Sequence, residues 1–112
     1  MTAPAPQRAG VEETAAARDV LAERRRQVEA EGWTPHHDDC HNKGELANAA
    51  ACYAAGIAIV DLWPWSRDWW KPRSHRRNLV KAAALILAEI ERIDRAAQRI
   101  KDERRERPGE ER

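Results

Sequence analysis

The chain has 112 residues, of which 35% are charged, and its formal net charge is only +1. A chain of this length forms one domain with a modest core, and the balance of charges argues against general nucleic-acid binding. The sequence has no run of about 18 apolar residues that could span a membrane, and its two cysteines, Cys40 and Cys52, do not suggest a disulfide framework.

The two ends of the chain differ in composition from the segment between them. Residues 1–10 are rich in proline, alanine and glycine, so we expect a disordered tail, and they lack the apolar segment of a signal peptide. Residues 106–112 form a charged tail. We therefore expect a cytoplasmic protein with a single α-helical domain over residues 11–105.

The first helix is predicted over residues 12–31, which are strong helix formers. Its sparse apolar stripe consists of Val20, Leu21 and Val28. Gly32 is a typical residue to end a helix, because glycine readily adopts the left-handed conformation.

A polar stretch, GWTPHHDDCHNKGEL, follows over residues 32–46 and leads into an alanine-rich segment. Asn42 lies three residues before Glu45, a spacing that predicts a capping box at the start of a helix running from Gly44 to about Ala58. The many alanines of this second helix indicate a close approach to a neighbouring helix.

A tryptophan-rich segment, DLWPWSRDWWKPRS, occupies residues 61–74. Pro64 and Pro72 are unfavourable inside a helix, while the tryptophan side chains are too apolar to remain in water. The segment is predicted to be a structured loop.

The last helix is predicted from about His75 to Arg105, with Ser74 as its N-cap. Its apolar residues recur at alternating spacings of four and three, which is the heptad pattern of a helical seam. We refer to these residues as the heptad seam: Leu79, Ala83, Ile86, Ile90, Ile93, Ala97 and Ile100. The seam is predicted to be the spine of a helical bundle, the interface of a homo-oligomer (a dimer or larger), or both. The predicted fold is an all-α bundle of three main helices.

The polar stretch admits two interpretations besides a loop that begins a helix. A structural zinc site is disfavoured, because its ligand-type residues are consecutive and cannot all point at one ion. If the loop folds back on the second helix, however, Asp38, Asp39, His41 and Glu45 provide an alternative site for one divalent ion.

A basic stretch, WWKPRSHRR, lies at the start of the last helix. Cations there oppose the helix dipole, so their accumulation indicates that an anion is bound nearby. The neighbouring tryptophans are suited to stacking on a base. Alternatively, the arginines pair with surface glutamates and the tryptophans fill the core.

The pattern AERRRQ…GW…H…GEL…A, followed by RRNLVKAAALILAEIERIDR, resembles the small MazG-like nucleotide pyrophosphohydrolases of phages and prophages. The fuller pattern, with WWKP and LVKAAALILAEIERID, is also similar to an uncharacterised family of phage and prophage proteins. The resemblance extends from Val20 to Arg95 apart from the tryptophan-rich segment. It implies a MazG-like helical fold and a protein of the host cytoplasm.

The metal-binding carboxylates of the MazG-like enzymes are largely replaced in this chain. In that family an EExxE motif and an ExxD motif hold Mg²⁺. Here His41 and Asn42 stand for the first two glutamates, and only Glu45 matches. Asn78 and Lys81 stand for the glutamate and aspartate of ExxD. The resemblance therefore implies a nucleotide site without a cofactor, since an amine in place of the metal still attracts phosphate but does not activate water.

These patterns together predict a phage protein that binds or sequesters a phosphorylated nucleotide without efficient hydrolysis, such as a signalling nucleotide of host antiviral defence. Arg73, Arg76, Arg77 and Lys81 are predicted to contact phosphate, Trp33, Trp69 or Trp70 the base, and His41 and Glu45 the ribose or base edges. One alternative is an active pyrophosphohydrolase that uses Asp38, Asp39 and Glu45 with Mg²⁺. A second is a phage inhibitor that binds a host protein, so the sequence leaves enzymatic activity open.

Overall fold

The computed structural model describes residues 14–106, which form an all-α structure with no strand among them. The helices are α1 (Ala15–Glu31), α2 (Pro35–Asp39), α3 (Glu45–Ala55) and α4 (His75–Arg105), and a 3-10 turn covers Arg67–Trp69. The all-α prediction is confirmed. The predicted tail at 1–10, and all of the predicted tail at 106–112 except Glu106, lie outside the described residues. No helix of the described part is both long and apolar enough to cross a lipid bilayer.

Most of the helix ends follow from single residues. Gly32 ends α1 with a φ of 74°, and Ser74 begins α4 by accepting a 3.2 Å hydrogen bond from the Arg77 amide. The predicted capping box at Asn42 is wrong, because α3 begins after Gly44, whose φ is 84°, and has no side-chain cap. The short helix α2, capped by Thr34, was not predicted.

The apolar core lies between α3 and α4. Its buried residues are mainly small, so the two helices approach closely. They are Leu46, Ala49, Ala50, Tyr53, Ala82, Leu85 and Ala88. Four partly buried tryptophans from the loops pack against this core: Trp33, Trp63, Trp65 and Trp70. The tryptophan-rich segment is thus a structured loop, as predicted.

Helix α1 turns polar side chains toward the rest of the protein. Its buried residues are Glu23, Arg24 and Gln27, and the predicted apolar stripe is wrong at Leu21, which is 50% exposed. Arg24 donates a 2.7 Å hydrogen bond to Asp38 of α2 and a 3.3 Å bond to Glu91 of α4. Ion pairs therefore tie α1 to α2 and α4.

The heptad seam faces outward in the single chain. Its five large residues are between 43% and 52% exposed: Leu79, Ile86, Ile90, Ile93 and Ile100. The face of α4 that meets the core instead carries Asn78, Lys81, Ala82, Leu85 and Ala88. The prediction that the seam is the spine of the bundle is therefore wrong for the isolated chain.

Candidate functional site

An aromatic pocket with a volume of about 330 Å³ opens between the end of α1, the helix α2 and the tryptophan-rich loop. Its wall is formed by Glu31, Trp33, His37, His41, Trp65, Ser66 and Trp69. The ring of Trp65 is central, with its centroid 5.6 Å from that of Trp33 and 5.5 Å from that of His41. The rings thus provide flat apolar surfaces with polar groups at their edges.

Local backbone features place these rings. The left-handed turn at Gly32 directs Trp33 back along α1, where its amide donates a 2.9 Å hydrogen bond to the carbonyl of Gln27. Thr34 caps α2, which carries His37 toward His41 at a ring separation of 4.8 Å. On the opposite side, the Ser66 hydroxyl accepts a bond from the Asp68 amide and begins the 3-10 turn that ends in Trp69.

A basic pocket with a volume of about 300 Å³ lies beside the aromatic pocket. It is lined by one acid and five cations: Glu31, Arg26, Lys71, Arg73, Arg77 and Lys81. Within residues 14–106, no ion pair neutralises Lys71, Arg73 or Lys81. This concentration of positive charge attracts an anion.

Lys81 is the buried cation of this pocket. Its ammonium donates a 2.8 Å hydrogen bond to the carbonyl of Lys71 and lies 5.3 Å from the ring centroid of Tyr53. Burial lowers the pKa of Lys81, and the nearby charges of Arg73 and Arg77 lower it further. A bound anion would relieve this repulsion.

Glu23 neutralises part of the charge behind the basic pocket. Its carboxylate is ion-paired with Arg26 at 2.8 Å and with Arg77. Burial acts to raise the pKa of Glu23, but these two arginines outweigh it and hold the pKa below its ordinary value. Arg26 also pairs with Glu31 at 2.7 Å. The carboxylates of Glu23 and Glu31 therefore orient the guanidinium groups, but they do not balance the charge of all five cations.

The two pockets adjoin, and Glu31 lines both. A small cavity of about 20 Å³ shares Trp33 and Trp69 with the aromatic pocket and Lys71 with the basic pocket. The ammonium of Lys71 lies 5.4 Å from the ring centroid of Trp69, so a cation adjoins an aromatic surface where the pockets meet. Aromatic rings and cations thus lie side by side at this boundary.

Six of the predicted ligand-binding residues line these pockets. Trp33, His41 and Trp69 belong to the aromatic pocket, and Arg73, Arg77 and Lys81 to the basic pocket.

Three other predicted residues lie elsewhere. Trp70 packs against Tyr53 with the ring centroids 4.7 Å apart, and Arg76 points to Asp19 of α1 at 2.9 Å. Glu45 accepts a 2.7 Å hydrogen bond from the Lys43 amide. We therefore leave these three out of the candidate site.

The residues of the alternative metal site do not fit a Mg²⁺ ion. Asp38 is fully buried and ion-paired with Arg24 at 2.7 Å, and burial raises its pKa despite that arginine. Asp39 is bound by Arg95 at 2.8 Å, which lowers its pKa. Among the described residues, no three His, Cys, Asp or Glu side chains converge on one point that could hold a metal ion.

Several pocket residues were not among the predicted ligand-binding residues. His37, Trp65 and Ser66 join the aromatic pocket, while Arg26 and Lys71 join the basic pocket. Lys71 and Trp65 belong to the basic and tryptophan-rich segments, so composition contained a signal for them. Nothing local distinguishes Arg26 from its neighbour Arg25, because only the packing of α1 decides which arginine faces the pocket.

Comparison of the chain with protein-family models, curated proteins and solved structures found no match.

Proposed function

We propose that the protein binds a phosphorylated nucleotide, with the base in the aromatic pocket and the phosphate in the basic pocket. The observation that carries this proposal is that the two pockets lie side by side, with Glu31 in the lining of both. A nucleotide is a common cellular molecule that joins a planar ring to an anion through a short polar linker. Glu31, which lines both pockets, is suited to contact the sugar.

The cations that line the basic pocket support the proposal that it binds the phosphate. Arg73 and Arg77 offer planar groups of N–H donors that match phosphate oxygens, and Lys81 adds a buried point charge. Lys71 is placed to contact either a phosphate oxygen or the nearby ring. Hydrogen bonds to charged groups contribute about 1.5–3 kcal/mol each.

The base end is supported by the size and lining of the aromatic pocket. Its 330 Å³ volume lies at the small end of the range typical of ligand pockets, about 300–1,000 Å³. Stacking of a base on an aromatic side chain contributes about 1–3 kcal/mol. The two histidines and the carboxylate of Glu31, which also pairs with Arg26, line this pocket and are suited to bond base edges.

We further propose that the nucleotide is held rather than rapidly hydrolysed. The resemblance to MazG-like enzymes places Asn78 and Lys81 at two of the metal-binding carboxylates, and both side chains here bond the backbone of the loop at residues 71–73. Sequestration of a signalling nucleotide of antiviral defence is the phage role consistent with such a site.

A nucleotide panel tests this proposal. The protein is mixed with nucleoside mono-, di- and triphosphates and with cyclic mono- and dinucleotides, and its melting temperature is recorded with and without Mg²⁺. We expect at least one nucleotide to raise the melting temperature and to be recovered intact. Release of pyrophosphate from a triphosphate would instead support the alternative enzyme, and no shift with any nucleotide would contradict nucleotide binding.

We also propose that the chain forms a homo-oligomer through the heptad seam. Five large apolar side chains exposed along one face of a helix are unfavourable in water. Their heptad spacing is that of a helix packed against another helix.

A further inference from the structure

The heptad seam also contains information on how two copies would meet. In heptad positions, Ala83, Ile90 and Ala97 take the place called a, whereas Leu79, Ile86, Ile93 and Ile100 take the place called d. Small and large residues therefore alternate at the a positions, while every d position is large. This asymmetry distinguishes a parallel pair of helices from an antiparallel one.

We propose that two copies pair through antiparallel α4 helices, with the two-fold axis between Ile90 and Ile93; this inference rests on the proposed homo-oligomer and specifies its geometry. An a residue then faces a d residue of the other copy. In this register each alanine meets a large residue: Ala83 meets the partner's Ile100, and Ala97 meets the partner's Ile86. At the centre, Ile90 meets the partner's Ile93, so each of these layers contains at least one isoleucine. Leu79, at the end of the seam, falls opposite the partner's Arg104.

A parallel pair fits less well for reasons of both size and charge. In a parallel pair Ala83 would face the partner's Ala83, and Ala97 the partner's Ala97. These alanine layers would be too thin beside the leucine and isoleucine layers that flank them. The parallel pair would also bring Glu89, at position g, beside the partner's Asp94, at position e. These carboxylates are like charges, although Glu89 is already paired with Arg92 at 2.8 Å in the structure. In the antiparallel register Glu89 instead adjoins the partner's Ala96.

An apolar groove beside the seam supports the same register. It has a volume of about 370 Å³ and is lined by Ala17, Val20, Leu21, Ala83, Ile86 and Leu87, from α1 and α4. Ala83, the small residue that α4 contributes to this lining, faces the partner's Ile100 in the antiparallel pair. The groove would therefore receive the side chain of the partner's Ile100. That side chain would also cover Leu21, the exposed apolar residue of α1.

The distal half of α4 fits the role of the inserted element. Ile93 and Ile100 are 50% and 52% exposed, and residues 97–101 between and beyond them are all exposed. In the antiparallel pair this half lies along the α1 and α4 groove of the other copy. Each copy both donates its distal helix and receives one, which gives the closed two-fold symmetry typical of dimers.

Disulfide trapping between differently tagged chains tests the register. In a background of Cys40→Ser and Cys52→Ala, one chain carries Ala83→Cys and the other Ile100→Cys. We expect rapid disulfide formation between the two kinds of chain and little between identical ones, since positions 83 and 83 of an antiparallel pair lie about 25 Å apart along the helix. Self-pairing of Ala83→Cys would overturn the register, as would a dimer that forms no mixed disulfide.

Sedimentation of point variants tests association itself. Ile90→Lys should weaken self-association by about 100-fold or more, because it places an ammonium in the apolar layer. Ile57→Lys, at an exposed isoleucine outside the seam, is the matched control and should leave association unchanged. A wild-type chain that sediments as a monomer would overturn the pairing, whereas nucleotide binding by Ile90→Lys reports on the proposed nucleotide site separately.

Discussion

Asn78 holds the backbone of Arg73 through two hydrogen bonds. The Arg73 amide donates to Oδ1 of Asn78 at 2.7 Å, and Nδ2 of Asn78 donates to the Arg73 carbonyl at 3.1 Å. Because Asn78 is buried on the first turn of α4, this contact fixes the loop that carries Arg73 and Lys71 to the edge of the basic pocket. Asn78, which the resemblance to MazG-like enzymes aligns with a metal-binding glutamate, thus fixes the position of this loop.

Replacing Asn78 by alanine should weaken phosphate binding without removing any cation. We expect about a tenfold loss of nucleotide affinity, the equivalent of about 1.4 kcal/mol, because Arg73 is no longer held in place. Isothermal titration of Asn78→Ala, Arg73→Ala and the double variant measures the coupling. If the two losses simply add, the effect of Asn78 does not pass through Arg73.

The neighbouring arginines Arg76 and Arg77 should differ in importance. Arg77 lines the basic pocket, whereas Arg76 is exposed and paired with Asp19 on α1. Arg77→Ala should weaken nucleotide binding by about 10- to 100-fold, the range of one hydrogen bond to a charged group, while Arg76→Ala should change it by less than about twofold. Equal effects of the two substitutions, in the same titration, would argue that net charge rather than this pocket attracts the ligand.

Nucleotide affinity should fall as the pH rises into the alkaline range. Burial and the nearby arginines lower the pKa of Lys81 below its ordinary value of 10.5 in the free protein. A bound phosphate restores the charged form and raises that pKa, so the complex holds more protons than the free protein between the two pKa values. Affinity therefore decreases with pH across this interval, well above the phosphate ionisation near pH 6.

Lys81→Arg provides the control for this pH dependence. Arginine stays charged throughout the interval, so the variant should bind with nearly constant affinity if its larger head group is accommodated. Titrations at a series of pH values compare the two proteins. If nucleotide affinity decreases with pH by the same amount in both proteins, the proton released belongs to a group other than Lys81.

The buried pair of Arg24 and Asp38 should contribute to folding rather than to catalysis. Arg24→Met leaves the carboxylate of Asp38, which is 0% exposed, without its 2.7 Å partner. We expect a loss of about 3–5 kcal/mol in the free energy of unfolding, measured by urea denaturation. Adding Asp38→Asn should restore part of this loss, because the buried group is then neutral. A loss below about 1 kcal/mol for Arg24→Met would show that Asp38 is free to take another role.

Much of the fold could be predicted from the sequence. Helical periodicity and single end residues, such as Gly32 and Ser74, place three helices almost at their observed limits. Two of the failures, Leu21 and the heptad seam, have a common cause in tertiary structure. Leu21 and the heptad seam look like core residues, but the core of the chain forms on another face of α4 because small alanines there allow α3 to approach.

The sequence predicts the chemistry of the candidate site, but it identifies only some of the residues that line it. Clustered arginines and tryptophans indicate an anion and a ring, and Arg73, Arg77 and Trp69 do line the pockets. The choice between adjacent residues depends on the direction of each side chain, which local sequence does not determine in an irregular loop. Trp69 is half exposed at the pocket, whereas Trp70 turns inward to Tyr53.

Calorimetric titration with a nucleoside monophosphate, the matching nucleoside and inorganic phosphate tests most directly whether one ligand occupies both pockets. The nucleotide should bind at least about 100-fold more tightly than either fragment, because linking the two groups places both in their pockets at once. Trp69→Ala should weaken the nucleotide and the nucleoside but not inorganic phosphate. Equal affinities for nucleotide and inorganic phosphate, unchanged in Trp69→Ala, would contradict a base in the aromatic pocket.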